Sequence, residues 1–499
     1  MSVVWERLQP RLAELADLGS ALRLLSWDQH VTMPPGGGVG RGRVMGTLQG
    51  LSHGRLVDPA FGDLLDEAET DESLDEDQRS AVRLARRDYD KATKLPETLV
   101  RELAELESVA FEAWAEARPA NDFSIFQPHL KRMVELKKEA ADAIGWSGER
   151  YDALLDDFEP GMTTAEVETL FDELVPALKP VADKILSSAG ARPEFLSATY
   201  EVDKQEDFCR WLVEALGFDM SAGRFDVSPH PFTTHVGPGD VRQTTRYEPQ
   251  RLLMSIRASI HETGHALFEQ GIPKELWWLP TGDIQSLGLH ESQSRIWEIQ
   301  VGTSREFLDF MLPHLKDRFP QELGNLSPDE FYRGVNHPRR SLIRVESDAV
   351  TYNLHIALRF ELELALFRDQ ISVGDLPDAF DAGMEKYVGF RPDTRSDGVL
   401  QDMHWAVGGF GYFPTYTLGT LYAAALFDRA TEDLPGLTED LRSGDTSRLL
   451  EWLREKVHRV GSRKSGKQIA EEATGGPLTP APFLNHLKTK YADLYDITF

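Results

Sequence analysis

His261-Glu262-Thr263-Gly264-His265 is an H-E-x-x-H motif, a pattern whose spacing does chemistry only on a helix. Residues four apart stand one above the other there, so both imidazoles can face one ion while Glu262 sits on the neighbouring flank. The chemistry that fits is metal-assisted hydrolysis: a bound ion lowers the pKa of water from about 16 to about 7, and a carboxylate takes the proton. A catalytic zinc needs three protein ligands and one open position, so a third donor is required. Phe268 and Gly271 stand where the metzincin extension has Gly and His, which excludes that class. The better candidate is Glu291, 30 residues after His261 in Gly288-Leu289-His290-Glu291-Ser292-Gln293-Ser294-Arg295. A carboxylate from a second helix suits a gluzincin site. Glu291 could instead pair with Arg295 four positions on, and His290 and Asp283 are rival ligands.

These residues need a helical frame, and helical periodicity runs through most of the chain. Residues 252–270 carry the motif after an apolar start at Leu252, Leu253, Ile256 and Ile260. Thr163 and Glu166 form a capping box ahead of Val167, Leu170, Phe171, Leu174 and Leu178 on one face. Residues 128–145 read as a helix started by Pro128 and stopped by Gly145, and 77–94, 101–117, 295–316 and 347–368 read similarly. The exception is 223–247, where Gly237-Pro238-Gly239-Asp240 separates two alternating runs and predicts a small β-hairpin just before the motif helix. Gly36-Gly37-Gly38-Val39-Gly40 reads as a flexible turn near the cleft. No repeat or linker divides the chain, so residues 1–499 are expected to form one mainly α unit.

Composition narrows the partners. Among 499 residues, 54 Lys and Arg face 82 Asp and Glu, a net charge of −28, with 41% hydrophobic and 27% charged residues. This is a globular composition, and its charge repels phosphate backbones and anionic lipid, so neither nucleic acid nor membrane partners are expected. Cys209 is the only cysteine, so a metal must be held by His and carboxylate. The N-terminal residues lack the apolar core of a signal peptide and no run approaches a membrane span, which predicts a cytoplasmic protein. Gly461-Ser462-Arg463-Lys464-Ser465-Gly466-Lys467 resembles a P-loop start, but Gln468 replaces the magnesium-holding Ser or Thr. Asn325-Leu326-Ser327 is a glycosylation pattern without relevance in the cytoplasm.

Several motifs together resemble the carboxypeptidase Taq family of zinc metallocarboxypeptidases. In chain order they are Asp240-Val241-Arg242-Gln243-Thr244, the His261–His265 motif, His290-Glu291-Ser292, Ile343-Arg344-Val345-Glu346-Ser347-Asp348, and Gly398-Val399-Leu400-Gln401-Asp402-Met403-His404-Trp405. Trp27-Asp28-Gln29, Met33-Pro34-Pro35-Gly36 and Phe410-Gly411-Tyr412-Phe413-Pro414-Thr415-Tyr416 extend the likeness over most of the chain. Ser347 departs from the family's Ala. The resemblance implies a mainly α, two-lobed helical peptidase with a long central groove and a small ribbon beside the active-site helix. It also implies a homodimer, zinc as cofactor with cobalt or another divalent metal able to substitute, and peptide substrates with a free C-terminal carboxylate and broadly varied side chains. His261, His265 and Glu291 would be metal ligands and Glu262 the general base. Arg344 would bind the substrate carboxylate, and His404 and Tyr416 would stabilise the scissile carbonyl. Asp240, Arg242 and Tyr412 would contact substrate or support those that do.

The residue types suit those roles. A planar guanidinium grips a carboxylate with two parallel hydrogen bonds, and imidazole and phenol donors offset charge on a tetrahedral oxyanion. Plainer readings compete: Arg344 could pair with Asp348 on a helix, His404 beside Trp405 could be core, Tyr412 and Tyr416 could pack with Phe410 and Phe413, and Asp240 with Arg242 could brace the hairpin. An internally cutting oligopeptidase and an inactive peptide- or metal-binding protein are the rival functions.

Overall fold

A computed structural model describes residues 2–499. Most of the chain is helical, and the helices begin where polar caps allow. Thr163 closes its capping box with Glu166 to start Thr164–Ser188, and Asp75 does the same with Gln78 for Glu76–Lys94. The large core gathers apolar faces from residue 110 to the C-terminal helix Ala481–Tyr495, with Trp297, Tyr422 and Phe208 among its fully buried side chains. A separate N-terminal cluster joins Trp5, Leu8 and Leu12 of helix Val3–Val31 to Phe61, Leu65, Ala81 and Val82. Between this cluster and the ribbon lies a cavity of about 510 Å³, lined by Leu12, Arg23, Lys91, His235 and Asp283 among others. No helix among the described residues is long and apolar enough to cross a membrane.

Four expectations need correction. Pro128 lies inside helix Phe123–Ile144, whose start is capped by Asp122; having no N–H, it forgoes the bond to the Ser124 carbonyl, and the helix continues past it. The stretch 295–316 is not one helix: Leu287–Arg295 runs into a π-helical segment, Ile296–Val301, and a new helix starts at Arg305 under a Ser304 cap. The stretch 347–368 begins later, at Tyr352, so Arg344 and Asp348 are not on a common helix. The glycines at 36–40 do not form a flexible turn but lead through a short 3₁₀ turn into helix Gly38–Leu56, which carries six glycines and buries no residue.

The ribbon has one strand more than the expected hairpin. Strands β1 (Gly223–Val227), β2 (Thr233–Gly237) and β3 (Asp240–Thr245) form a sheet of order β1-β3-β2. β2 and β3 are the antiparallel hairpin, turning at Gly239 (φ 79°) with a register irregularity between His235 and Gly237. β1 pairs parallel to β3, with Arg224 beside Arg242. The sheet lies against the motif helix Leu252–Gly271 through a buried polar seam: Thr263 Oγ1 donates to Gln243 Oε1 (3.0 Å) and Ser259 Oγ to Thr245 Oγ1 (3.0 Å). Spacing of four on the helix meets spacing of two on the strand, so one stripe of hydroxyls matches one sheet face.

On its other side the motif helix meets helix Leu287–Arg295 at Gly264. A Cβ there would come within 2.6 Å of Ser294 Cα and 2.7 Å of the Gln293 carbonyl oxygen. Backbone cannot step aside as a side chain can, so Gly264→Ala should destabilise the fold by about 1–3 kcal/mol, the usual cost of overpacking. The urea midpoint of the variant against the parent protein checks this.

Candidate metal centre and substrate pocket

The motif helix presents His261 and His265 one turn apart, their rings 4.9 Å between centroids and nearly perpendicular. Glu291 arrives from the neighbouring helix. Its Oε2 lies 3.6 Å from His261 Nε2 and 3.5 Å from His265 Nε2, and the three residues offer ligand atoms all within 4.8 Å of one another. The other oxygen, Oε1, accepts from Arg295 Nε at 2.8 Å. The pairing with Arg295 therefore exists, but it occupies one oxygen and leaves the other turned to the histidines. Arg295, with His261 and His265, holds the Glu291 carboxyl well below its ordinary range against the effect of burial.

A second carboxylate orients the first histidine. His261 Nδ1 lies 2.9 Å from Glu298 Oε2, which turns Nε2 toward Glu291. Burial alone would lower the His261 pKa, but Glu291 and Glu298 outweigh it and raise it to about 9. His265 is pushed down to about 3 by burial and by His290, whose ring stacks on it at 4.0 Å, so it is a neutral donor. The rivals are engaged elsewhere: His290 Nε2 meets Glu269 Oε1 at 3.2 Å, and Asp283 Oδ1 lies 3.5 Å from His235 Nε2. Glu262 accepts from Thr233 Oγ1 of β2 at 2.8 Å, and burial pushes its pKa up to about 7, the range of a general base.

The donor set fits a divalent cation. Two imidazole nitrogens and a carboxylate oxygen converge, with Arg295 paired to Glu291 and 3.8 Å from Glu298, and with Glu262 buried beside them. A donor set of two imidazoles and a carboxylate, backed by a further carboxylate behind one imidazole, is of the zinc type.

A second cluster adjoins this one. Arg344, only 4% exposed, donates through Nε (3.0 Å) and Nη2 (2.7 Å) to Asp402 Oδ1 and through Nη1 to Tyr352 Oη (3.0 Å). The Tyr352 ring carries the Arg295 guanidinium at 4.6 Å, which ties the Glu291 helix to Arg344. His404 stacks on Tyr412 (5.4 Å) and packs on Phe413, and its Nε2 is 3.4 Å from Tyr416 Oη. Burial and the charge of Arg344 depress its pKa to about 4, so the ring is neutral at pH 7.

With this geometry in view, comparison with known proteins is decisive. The sequence pattern of the Carboxypeptidase Taq (M32) metallopeptidase family matches residues 7–491. The chain belongs to that family. It is similar to thermostable carboxypeptidase 1 of Thermus thermophilus, 44% identical over 98% of this chain and 97% of the relative, and to carboxypeptidase 1 of Bacillus subtilis, 37% identical over 97% of each. The crystal structure of the M32 carboxypeptidase from Deinococcus radiodurans superposes with a TM-score of 0.97 at 39% identity, covering 99% of this chain and 100% of that one. Trypanosoma cruzi metallocarboxypeptidase 1 gives a TM-score of 0.92 at 34% identity, covering 98% and 99%. M32 enzymes are metal-dependent carboxypeptidases, and the mainly helical fold with its small sheet is theirs.

Within the M32 frame, His261, His265, Glu262 and Glu291 come together, and Arg344, His404, Tyr412 and Tyr416 form the adjoining cluster. Asp240 and Arg242 bond each other twice at 2.8 Å, and the guanidinium lies 4.3 Å from the Trp27 ring. Their side chains brace the ribbon against the first helix, the plainer of the two sequence readings. The pairing of Arg344 with Asp348 does not form; Asp348 instead accepts from the backbone of Arg339, Val350 and Thr351. Sequence reasoning missed Glu298, Thr233, Tyr352 and Asp402 as partner of Arg344. Asp402 had a signal, the Gln401-Asp402 pair inside a recognised motif. Glu298 had one too, its place seven residues after Glu291 and three after Arg295 on the same helical face.

Glu298→Gln removes the anion from His261 Nδ1 and should weaken metal binding 10- to 100-fold with little change in fold. Titration of metal-free protein with zinc against a competing chelator measures this, with circular dichroism as the control.

Proposed function

We propose that the protein is a zinc carboxypeptidase that removes single residues of broad character from peptide C-termini, using His261, His265 and Glu291 as ligands and Glu262 as general base. The observation that carries the reading is the convergence of those three donors beside a carboxylate whose pKa is near 7, with a buried arginine in the adjoining cluster. The metal supplies Lewis-acid chemistry, polarising a carbonyl and making water nucleophilic near neutral pH; cobalt has the ligand preferences to substitute.

The chain's own groups do the rest. Thr233 holds the Glu262 carboxylate by one oxygen, and Glu262 takes the proton of the attacking water and returns it to the leaving amine. His404 and Tyr416 offer an imidazole and a phenol to the oxyanion, with Tyr412 stacked behind His404 to hold the ring. Arg344 takes the substrate's terminal carboxylate. Asp402 and Tyr352 use three of its five N–H groups, which leaves one on each of Nη1 and Nη2 to meet a carboxylate. Asp240 and Arg242 support the ribbon that carries Thr233.

The family resemblance supports a homodimer working as a single catalytic unit per chain, with the cavity between the N-terminal helices and β2 as part of the groove. A lone buried cysteine, Cys209, suits a reducing cytoplasm.

The test is release of the C-terminal residue from an N-blocked dipeptide and from its C-terminal amide, each with chelator and with zinc or cobalt restored. Chelator-sensitive cleavage of the free acid alone is expected, and Glu262→Gln should lower kcat by about 10²–10⁴. Equal cleavage of acid and amide would make the protein an endopeptidase, and no cleavage by zinc-loaded protein would make it a binding protein.

A further inference from the structure

Arg359 lies on helix Tyr352–Phe367, 1% exposed, and has no place in the chemistry described so far. Its Nε donates to Asp402 Oδ2 at 2.6 Å, its Nη2 lies 2.5 Å from the same oxygen, and its Nη1 donates to the His355 carbonyl at 2.9 Å. Asp402 thus stands between two guanidiniums, Oδ1 held by Arg344 and Oδ2 by Arg359.

Two consequences follow from sharing one carboxylate. The first is geometric. A carboxylate facing a lone arginine engages it with both oxygens in a parallel fork. Here Arg359 occupies Oδ2, so Arg344 meets a single oxygen through Nε and Nη2, and the guanidinium is held at an orientation that leaves one N–H on Nη1 and one on Nη2 uncommitted. The second is electrostatic. Arg344 with Asp402 alone would be a neutral pair and a poor attractant for an anion; with Arg359 the group of three carries one net positive charge. Burying an unbalanced charge is costly, and a substrate carboxylate restores neutrality. Glu363, one turn along, lies within Coulombic reach of Arg359 but makes no ion pair with it among the described residues: its oxygens accept from Tyr151 Oη, Trp405 Nε1 and the Gly411 N–H, and burial pushes its pKa up to about 7, so it offsets that charge only in part.

We infer that Arg359 is a positioning residue for substrate recognition: by holding one oxygen of Asp402, it keeps the Arg344 guanidinium oriented and its charge available to the C-terminal carboxylate of the peptide. The inference rests on the reading in which Arg344 binds that carboxylate.

Arg359→Met should raise KM for a free-acid dipeptide at least tenfold while kcat stays within about threefold. In parallel, the preference for an N-acyl amino acid over its amide as competitive inhibitor should fall toward unity. A residue that only supports the fold would lower the melting temperature and the active fraction, and leave KM and the acid-to-amide ratio unmoved; that result overturns the inference. Arg359→Lys keeps the charge and loses the two-nitrogen contact, so KM should rise less than in the Met variant. Should the Met variant not fold, the Lys variant decides, since an unchanged KM there overturns the proposal. Arg344→Met separates the two levels. If it leaves KM for free acids unchanged, the reading of Arg344 itself fails; if it raises KM while Arg359→Met does not, the role of Arg359 alone fails.

Discussion

Close approach of three helices is the constraint on which the site depends. The motif helix, the helix of Glu291 and helix Phe413–Asp433 meet at glycines, because a side chain at the contact would force the backbones apart. A Cβ at Gly419 would come within 2.5 Å of Glu291 Cγ, and one at Gly288 within 3.1 Å of Leu418 Cβ. With Gly264 on the motif helix, these positions let Glu291 reach two imidazoles with a side chain of only three carbons beyond Cα. Longer separation would need a longer ligand, and no longer carboxylate exists among the amino acids. The helix packing therefore sets the ligand type as much as the ligand type sets the chemistry.

Carboxylates are the second organising theme, and each is divided between two partners. Glu291 gives one oxygen to Arg295 and the other to the histidines. Asp402 gives one to Arg344 and one to Arg359. In both cases the second partner prevents a closed fork and leaves a defined vector for the functional contact. Tyr352 connects the two by lying under Arg295 while accepting from Arg344, so the metal centre and the carboxylate pocket share a rigid wall.

The sequence showed the parts whose geometry is local. The H-E-x-x-H helix, the capping box at Thr163 and the β2–β3 turn depend on residues a few positions apart, and each formed as its spacing predicted. Glu291 could be nominated but not separated from an ion pair with Arg295, because spacing cannot show that one carboxylate serves both. What stayed hidden depended on long-range contacts or on where a helix begins. Glu298, seven residues after Glu291 and three after Arg295, lies on the stripe that a 3.6-residue period assigns, but spacing alone does not show that this stripe meets His261, 37 positions away. Arg344 was read on a helix with Asp348, whereas the helix starts eight residues after Arg344 and the true partner is 58 positions away. Strand β1 pairs in parallel with β3 across the hairpin, a contact that no turn signal announces.

The glycine-rich helix Gly38–Leu56 has a different meaning from the glycines of the core. Its six glycines each cost roughly 0.8–1 kcal/mol relative to alanine, and it buries no residue to offset them. Most added Cβ atoms along it would meet nothing within 4 Å, so packing does not demand them. A helix with that composition and no buried residue has little to hold it closed, so local opening there should need less free energy than global unfolding. First nicking by a protease is therefore expected at this segment, through a local equilibrium that leaves the metal centre folded.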